Sequence, residues 1–372
     1  MGVVAASLLA LPGLGKAEDG VSKDTILIGQ SAPLTGPAAT VGNAAREGAL
    51  AYFENINLKG GVRGRKIVLE SIDDGFQAEK AAENTRTLIG KTKAFALFGY
   101  VGGPASNAAL PIITTAKVPF VGALNGNAAL REPFNRYVFN VRASFSDEMG
   151  YLIDYLTTVG VTRIAVLHPD DAVGKRALAT AEQALKKKEL KPAPAISYER
   201  NSMVFAQLMA LLAKHETQAV VIFGPPKVAA AFIRDTKKAN LNPQFVGLSV
   251  IGADELVQEL GVDAHGVGVA QVVPLPFSAT VQIVSEYQKA MARRGAKSLG
   301  HASLEGFVAA KVLVEGLRRA GPQPTRERFI GAMETLANYD IGGITVNFSP
   351  TNHNGSTFVE LTVVGKDGRI LR

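Results

Sequence analysis

The 372-residue chain contains no cysteine. That absence excludes disulfides, thiol nucleophiles, thiolate metal sites and a lipid-modified cysteine anchor. Long apolar runs are missing as well: beyond the amino terminus, no stretch approaches the roughly 18 unbroken apolar residues of a membrane-crossing helix. Residues 3–15, VVAASLLALPGLG, are too short to span a bilayer. Followed by Gly15-Lys16-Ala17-Glu18-Asp19, they have the core and small-residue cleavage region of a secretory signal, with no Lys or Arg before Lys16. Residues 1–17 are therefore expected to be a signal-peptide-like segment, exporting the protein to a periplasm. A disordered tail is the alternative.

Fingerprints of catalysis are also absent. The chain has no GxxxxGK[ST], no strand-borne GxGxxG, no GxSxG and no HExxH. AVGKRA at 172–177 has Gly-Lys but neither the upstream glycine nor the Ser/Thr of a phosphate loop. The five histidines (His168, His215, His265, His301, His353) are tens of residues apart without ligand spacing, and read as surface or loop residues. Asp73-Asp74 ends a strand and could be an acid–base pair. The simpler reading has the first capping the next turn and the second facing water or a seam between lobes. No enzyme activity, metal or cofactor is expected. The net charge of +7 comes from scattered pairs such as Lys237-Lys238 and Arg293-Arg294, without interleaved aromatics, so no nucleic-acid partner is expected.

What the chain does have is length enough for two domains, 38 glycines, and strand and helix patterns that alternate as in βαβ units. The first series runs from strand 25–29 through helix 42–57, strand 66–72, helix 78–89 and strand 94–98. A helical stretch at 104–117, carrying Pro111, is expected to kink or restart there. Strands at 118–121 and 137–141 follow. The second series alternates from helix 145–159 to strand 245–248. It continues with strand 267–273, helices 281–294, 302–320 and 325–336, and strands 345–348 and 357–364. Loops rich in Gly and Pro follow six of these strands, among them Gly99–Gly103 and Ala123–Gly126, where helix amino termini present N–H donors. Six such loops in two α/β lobes imply a cleft at the carboxyl ends of the strands.

The segment ILIGQSAPLTGPAATVGNAAREGALAYFENINLKGGVRGRKIVLESIDD, with VPF before the fourth strand and LREPFNRYVFNVRASFSDE further on, resembles the type I periplasmic binding proteins of ABC importers, typified by the leucine/isoleucine/valine receptors. The resemblance covers about residues 24–365. It implies an α/β fold of two Rossmann-like lobes joined by three crossing strands, near Arg142–Ser144, Gln271–Val273 and Gly342–Ile344. The lobes would be 24–142 plus 273–341 and 143–272 plus 342–372. It further implies a small-molecule ligand held by hinge closure, delivery to an inner-membrane permease, and a monomer. A ligand-sensing module of the same fold, feeding a receptor or regulator, is the alternative.

Carried over position by position, the resemblance places Tyr100-Val101-Gly102-Gly103 and Leu124-Asn125-Gly126 at the ligand. Gly103 stands where the family's serine holds the substrate carboxylate, and Ser249 where a glutamate neutralises its ammonium. Val41, Val173 and Pro226 replace three tyrosines of the pocket wall. A buried ammonium without its carboxylate partner would cost several kcal/mol. A hydrophobic or aromatic carboxylate is therefore expected rather than a free amino acid, with the Gly102 and Gly103 amides on its carboxylate, and Tyr100 and Asn125 stacking and hydrogen bonding.

Overall fold

The structure, a computed structural model, describes residues 18–191, 194–199, 204–296 and 298–372. The proposed signal segment lies outside them. The first lobe opens with β1 (Thr25–Ala32), α1 (Ala39–Leu58), β2 (Lys66–Asp73), α2 (Ala78–Gly90), β3 (Ala96–Phe98), α3 (Gly103–Ala116), β4 (Phe120–Val121) and β5 (Val138–Phe139). These strands form one parallel sheet in the order β2-β1-β3-β4-β5. β1 and β3 are almost wholly buried because helices cover both faces, which is why their sequences read as continuous apolar runs.

The second lobe takes α4 (Phe145–Thr158), β6 (Ile164–Pro169), α5 (Ala172–Lys187), β7 (Ala195–Tyr198), α6 (Ala206–Lys214), β8 (Ala219–Ile222), α7 (Pro226–Lys238), β9 (Gln244–Gly247), α8 (Ala253–Leu260) and β10 (Gly268–Gln271). The chain then returns to the first lobe with α9 (Gln282–Arg294), α10 (His301–Arg319), α11 (Arg326–Glu334), and the short antiparallel pair β11 (Tyr339–Asp340) and β12 (Thr345–Val346). It finishes on the second sheet with β13 (Glu360–Val364) and β14 (Ile370–Leu371), antiparallel to the rest, giving the order β14-β13-β10-β9-β8-β6-β7. Helix α1 packs closely on α10 because Gly48 and Gly306 are bare: a Cβ on either would run into the other helix's backbone, at the Ser303 and Ala45 carbonyls.

Three expectations need correction. Helix α3 does not restart at Pro111 but continues through it, the proline exposed while Ala105, Ala109 and Ile113 are buried. The third crossing does not fall at 342–344. Ile344, Val346 and Phe348 bury in the first lobe's core, with Phe348 edge-on to Phe139 at 5.3 Å. The Asn140 N–H donates to the His353 carbonyl and the Gly355 N–H to the Asn140 carbonyl, so the chain leaves this lobe only between Ser356 and β13. The histidines are not uniformly at the surface either: His168 and His353 are each 3% exposed.

His353 stacks on Phe139 with ring centroids 3.8 Å apart, and burial pushes its pKa down to about 4. Between pH 6.5 and 4 the unfolded chain takes up a proton that the folded one refuses, so stability falls as pH drops, by up to about 1.4 kcal/mol per pH unit. His353→Phe is expected to remove this component. Urea unfolding at pH 7 and pH 5 should show a drop about 1–2 kcal/mol smaller in the variant; an equal drop would place the acid sensitivity elsewhere.

Candidate functional site

Two loops at the carboxyl ends of strands reach the seam between the lobes: Gly126, after β4, holds the start of α4, and Ser249, after β9, holds Arg142. In the first lobe the pairing of β3 with β4 continues beyond both strands. Val101 bridges Leu124, the Leu124 N–H donates to the Tyr100 carbonyl at 2.9 Å, and the Gly102 N–H to the Leu124 carbonyl at 3.2 Å. This ladder places Val101 and Leu124 side by side, and with Ala45 and Val41 from α1 they make a small apolar wall. Gly102, at φ +85°, turns the chain into α3; a Cβ there would lie 2.6 Å from the Phe76 ring.

Beyond that turn, α3 begins without a side-chain cap, and its Pro104 has no N–H to give. The remaining first-turn donors have no partner inside the helix. Gly103, the first helical residue, has room for a side chain: a Cβ there would make ordinary contact with Asn127 Nδ2 at 3.7 Å and Asn125 Nδ2 at 3.9 Å. Asn125 is 2% exposed. Its Oδ1 accepts the Asn127 N–H at 3.0 Å, while its Nδ2 has no acceptor among the described residues. Beneath the loop, the Arg131 guanidinium donates to the carbonyls of Asn125, Asn127 and Arg142. Burial, with Arg142 nearby, lowers the Arg131 pKa to about 10, so it stays cationic at neutral pH. Open helix N–H groups, an unpaired amide donor and a buried cation together favour an anion of carboxylate size.

Other expected contacts divide differently. Tyr100 is wholly buried, its hydroxyl 3.0 Å from Thr85 Oγ1 and its ring edge-on to Phe120. It belongs to the core behind the sheet and offers no face to a ligand. Gly126 receives the Phe145 N–H on its carbonyl at 2.9 Å, joining the loop to the start of α4. Val173 lies half-buried in the first turn of α5, which Asp171 already caps through the N–H groups of Val173 and Gly174. Pro226, also half-buried, opens α7. Asp73 caps turns as expected, accepting the N–H groups of Leu34, Thr35 and Gly75, and the Thr35 hydroxyl helps hold its pKa near 2. Asp74 faces neither water nor a seam: it is buried, bonded by the Ser31 hydroxyl and the Phe76 N–H.

Ser249 sits in a charge network that no sequence motif announces. The Arg142 guanidinium is buried between the lobes, with Nη2 2.7 Å from Glu148 Oε1 on α4 and Nη1 3.3 Å from Glu305 Oε1 on α10. Ser249 accepts from Arg142 Nη2 at 2.6 Å and donates its N–H and hydroxyl to Glu148 at 2.6 and 2.9 Å. Burial raises the Glu148 and Glu305 pKa values, and Arg142 pulls both back. Burial opposes the charge on Arg142, but the two glutamates outweigh it and its pKa is raised. The one signal in the sequence is an arginine inside the apolar run VFNVRAS. Among the described residues, no group of three His, Asp or Glu side chains could hold a metal ion, and no helix is long and apolar enough to cross a membrane.

This architecture has known counterparts. A structure of a possible leucine/isoleucine/valine-binding protein from Rhodopirellula baltica is 30% identical, with 96% of this chain and 98% of that one covered at a TM-score of 0.85. A substrate-binding periplasmic protein from Ralstonia solanacearum is 35% identical over 93% of this chain and 99% of that one, at a TM-score of 0.82. Among curated proteins, an amino acid binding protein of Pseudomonas aeruginosa is 24% identical over 66% of each chain. A Leu/Ile/Val-binding protein homolog of Brucella abortus is 25% identical over 88% of this chain and 86% of its own. The model of the family described as periplasmic binding protein matches residues 25–369, and the chain belongs to that family, with the type I fold of the leucine/isoleucine/valine-binding proteins.

Proposed function

We propose that this protein is the periplasmic solute receptor of an ABC importer and that its cleft takes a small organic acid with an apolar or aromatic body. The carboxylate would sit on the open amino terminus of α3, between the Gly103 N–H and Asn125 Nδ2, with Val41, Val101 and Leu124 against the body. The carrying observation is the buried, unpaired Asn125 Nδ2 beside an uncapped helix start. At Ser249, where the resemblance places the ammonium's partner, no acceptor is free, because the Ser249 hydroxyl and the Glu148 carboxylate are engaged by each other and by Arg142. The fold itself leaves the ligand open. At 17% and 20% identity respectively, the same fold carries a Thermus thermophilus branched-chain amino acid transporter structure with bound valine and a Thermomonospora curvata fatty acid transporter substrate-binding protein.

In this reading the protein performs no chemistry. Ligand energy selects the closed arrangement of the lobes, and the closed monomer docks on a membrane permease. Thermal-shift and calorimetric titration against aromatic acids, medium-chain acids and free amino acids tests the ligand class. An acid should raise the melting temperature by mass action, and a response confined to leucine or valine would overturn the assignment. Asn125→Asp keeps the shape of the side chain and replaces the donor by a negative charge. It is expected to weaken the responding acid about 100-fold or more; unchanged affinity would show that the carboxylate binds elsewhere.

A further inference from the structure

We propose that the back of the hinge is a second binding site, for a small organic cation: a primary ammonium carrying a short apolar body. A groove of about 380 Å³ lies there, bounded by both lobes. Val281 and Gly343 come from the first lobe, and Glu360 and Arg372 from the edge of the second sheet. Pro274 and Phe358 belong to the two segments that cross between the lobes near it.

Glu360 is 6% exposed, and neither of its carboxylate oxygens receives a well-aligned hydrogen bond among the described residues. The Leu275 backbone N–H and the Arg372 guanidinium, with Nε 3.2 Å from Oε2, supply the positive potential around it. The Arg372 side chain is largely exposed while Glu360 is buried, so a competing cation can replace the guanidinium at the carboxylate and return it to water. An ammonium brings three donors that turn freely toward both oxygens, which a guanidinium held by its Nε alone does not. Phe358, Pro274 and Val281 give an attached apolar body a surface to cover.

Position makes such a site regulatory. On the hinge closure proposed above, its walls belong to two bodies that turn about the crossings, so the groove would change width as the cleft opens and closes. An occupant that fits one width shifts the equilibrium toward it, and the cleft ligand must reciprocally change the affinity of the groove.

The test uses the full chain without cleft ligand and n-butylammonium chloride as probe, against butanol, sodium butyrate and sodium chloride at matched ionic strength. Butylammonium alone is expected to give a saturable rise in melting temperature. Glu360→Gln should weaken it about tenfold or more. Arg372→Ala, which removes the resident competitor, should tighten it about two- to fivefold. If Glu360→Gln does not fold, Arg372→Ala and Phe358→Ala decide, the first tightening and the second weakening the probe. Equal shifts with butanol, butyrate or sodium, full binding by Glu360→Gln, or weaker binding by Arg372→Ala would overturn the proposal. Because no cleft ligand is present, failure here leaves the cleft assignment standing, and failure of the acid screen leaves this one standing.

Discussion

Arg142→Met is expected to lower the unfolding free energy by about 3–5 kcal/mol, a large share of the whole stability of a typical domain. The side chain is replaced by one of similar reach, so little space opens. What is lost is the cation that pairs with both Glu148 and Glu305, and Glu148 is wholly buried. Truncating one partner of a buried pair leaves the other's desolvation uncompensated. The sign of the pH dependence follows. Without Arg142, burial raises both folded-state carboxyl pKa values further above their unfolded ones, so the folded form gains protons that the unfolded form does not, and stability increases as pH falls. Urea unfolding of the variant should therefore show its deficit shrinking from pH 7 to pH 5. A deficit that is absent, or that grows on acidification, would show that the network is not held by charge.

Gly103→Val is expected to cost about 100-fold or more in ligand affinity, roughly 2.7 kcal/mol, with the fold nearly unchanged. The backbone there is ordinary helix, and the nearest atoms a Cβ would meet, on the Asn127 and Asn125 side chains, are 3.7 and 3.9 Å away. Valine fills the space in front of the open N–H groups and buries nothing else. Gly102 makes a poor control, since its positive φ and the nearby Phe76 ring penalise any side chain regardless of ligand. Isothermal titration of the best acid from the screen, with circular dichroism melting alongside, separates the outcomes. Intact melting with intact affinity would mean that α3 begins with an ordinary turn and binds nothing.

Much of the architecture is legible in the sequence alone, for a physical reason that differs by element. Buried parallel strands such as ILIG and ALFG must be apolar throughout, and their helices must show a stripe, so the alternation appears in the chain itself. Short polar-flanked pieces are harder. TVNF at 345–348 has the pattern of a strand, but whether Val346 and Phe348 bury against one lobe or the other depends on partners far away in sequence, and Phe139 decides it. Helix α8 escapes the reading although Ala253, Leu256 and Leu260 form a regular apolar stripe; the last strand, β14, is only two residues long and carries too weak a signal to be anticipated. Pro111 misleads because its cost is local, one lost i→i−4 hydrogen bond and a crowded carbonyl, and on the exposed side of α3 water can satisfy that carbonyl while the buried face holds the helix together.

For the candidate site the division is sharper. Gly102, Gly103, Asn125 and Gly126 can be read from the chain because backbone-presenting turns demand glycine at the ends of strands. Tyr100, adjacent in sequence, cannot: alternation along the extended segment after β3 turns one residue to the seam and the next to the core, and Val101 takes the seam. Arg142, Glu148 and Glu305 are far apart in the chain or lie on different elements, so nothing local can reveal that they share one buried charge network with Ser249. Local sequence determined the order of elements, the turns and the bare helix start, since these follow from backbone stereochemistry and short-range burial patterns. Only the tertiary structure decided where the chain crosses between lobes, which polar groups are paired and which donor is left open, because pairing depends on distances between residues that the chain alone does not bring together.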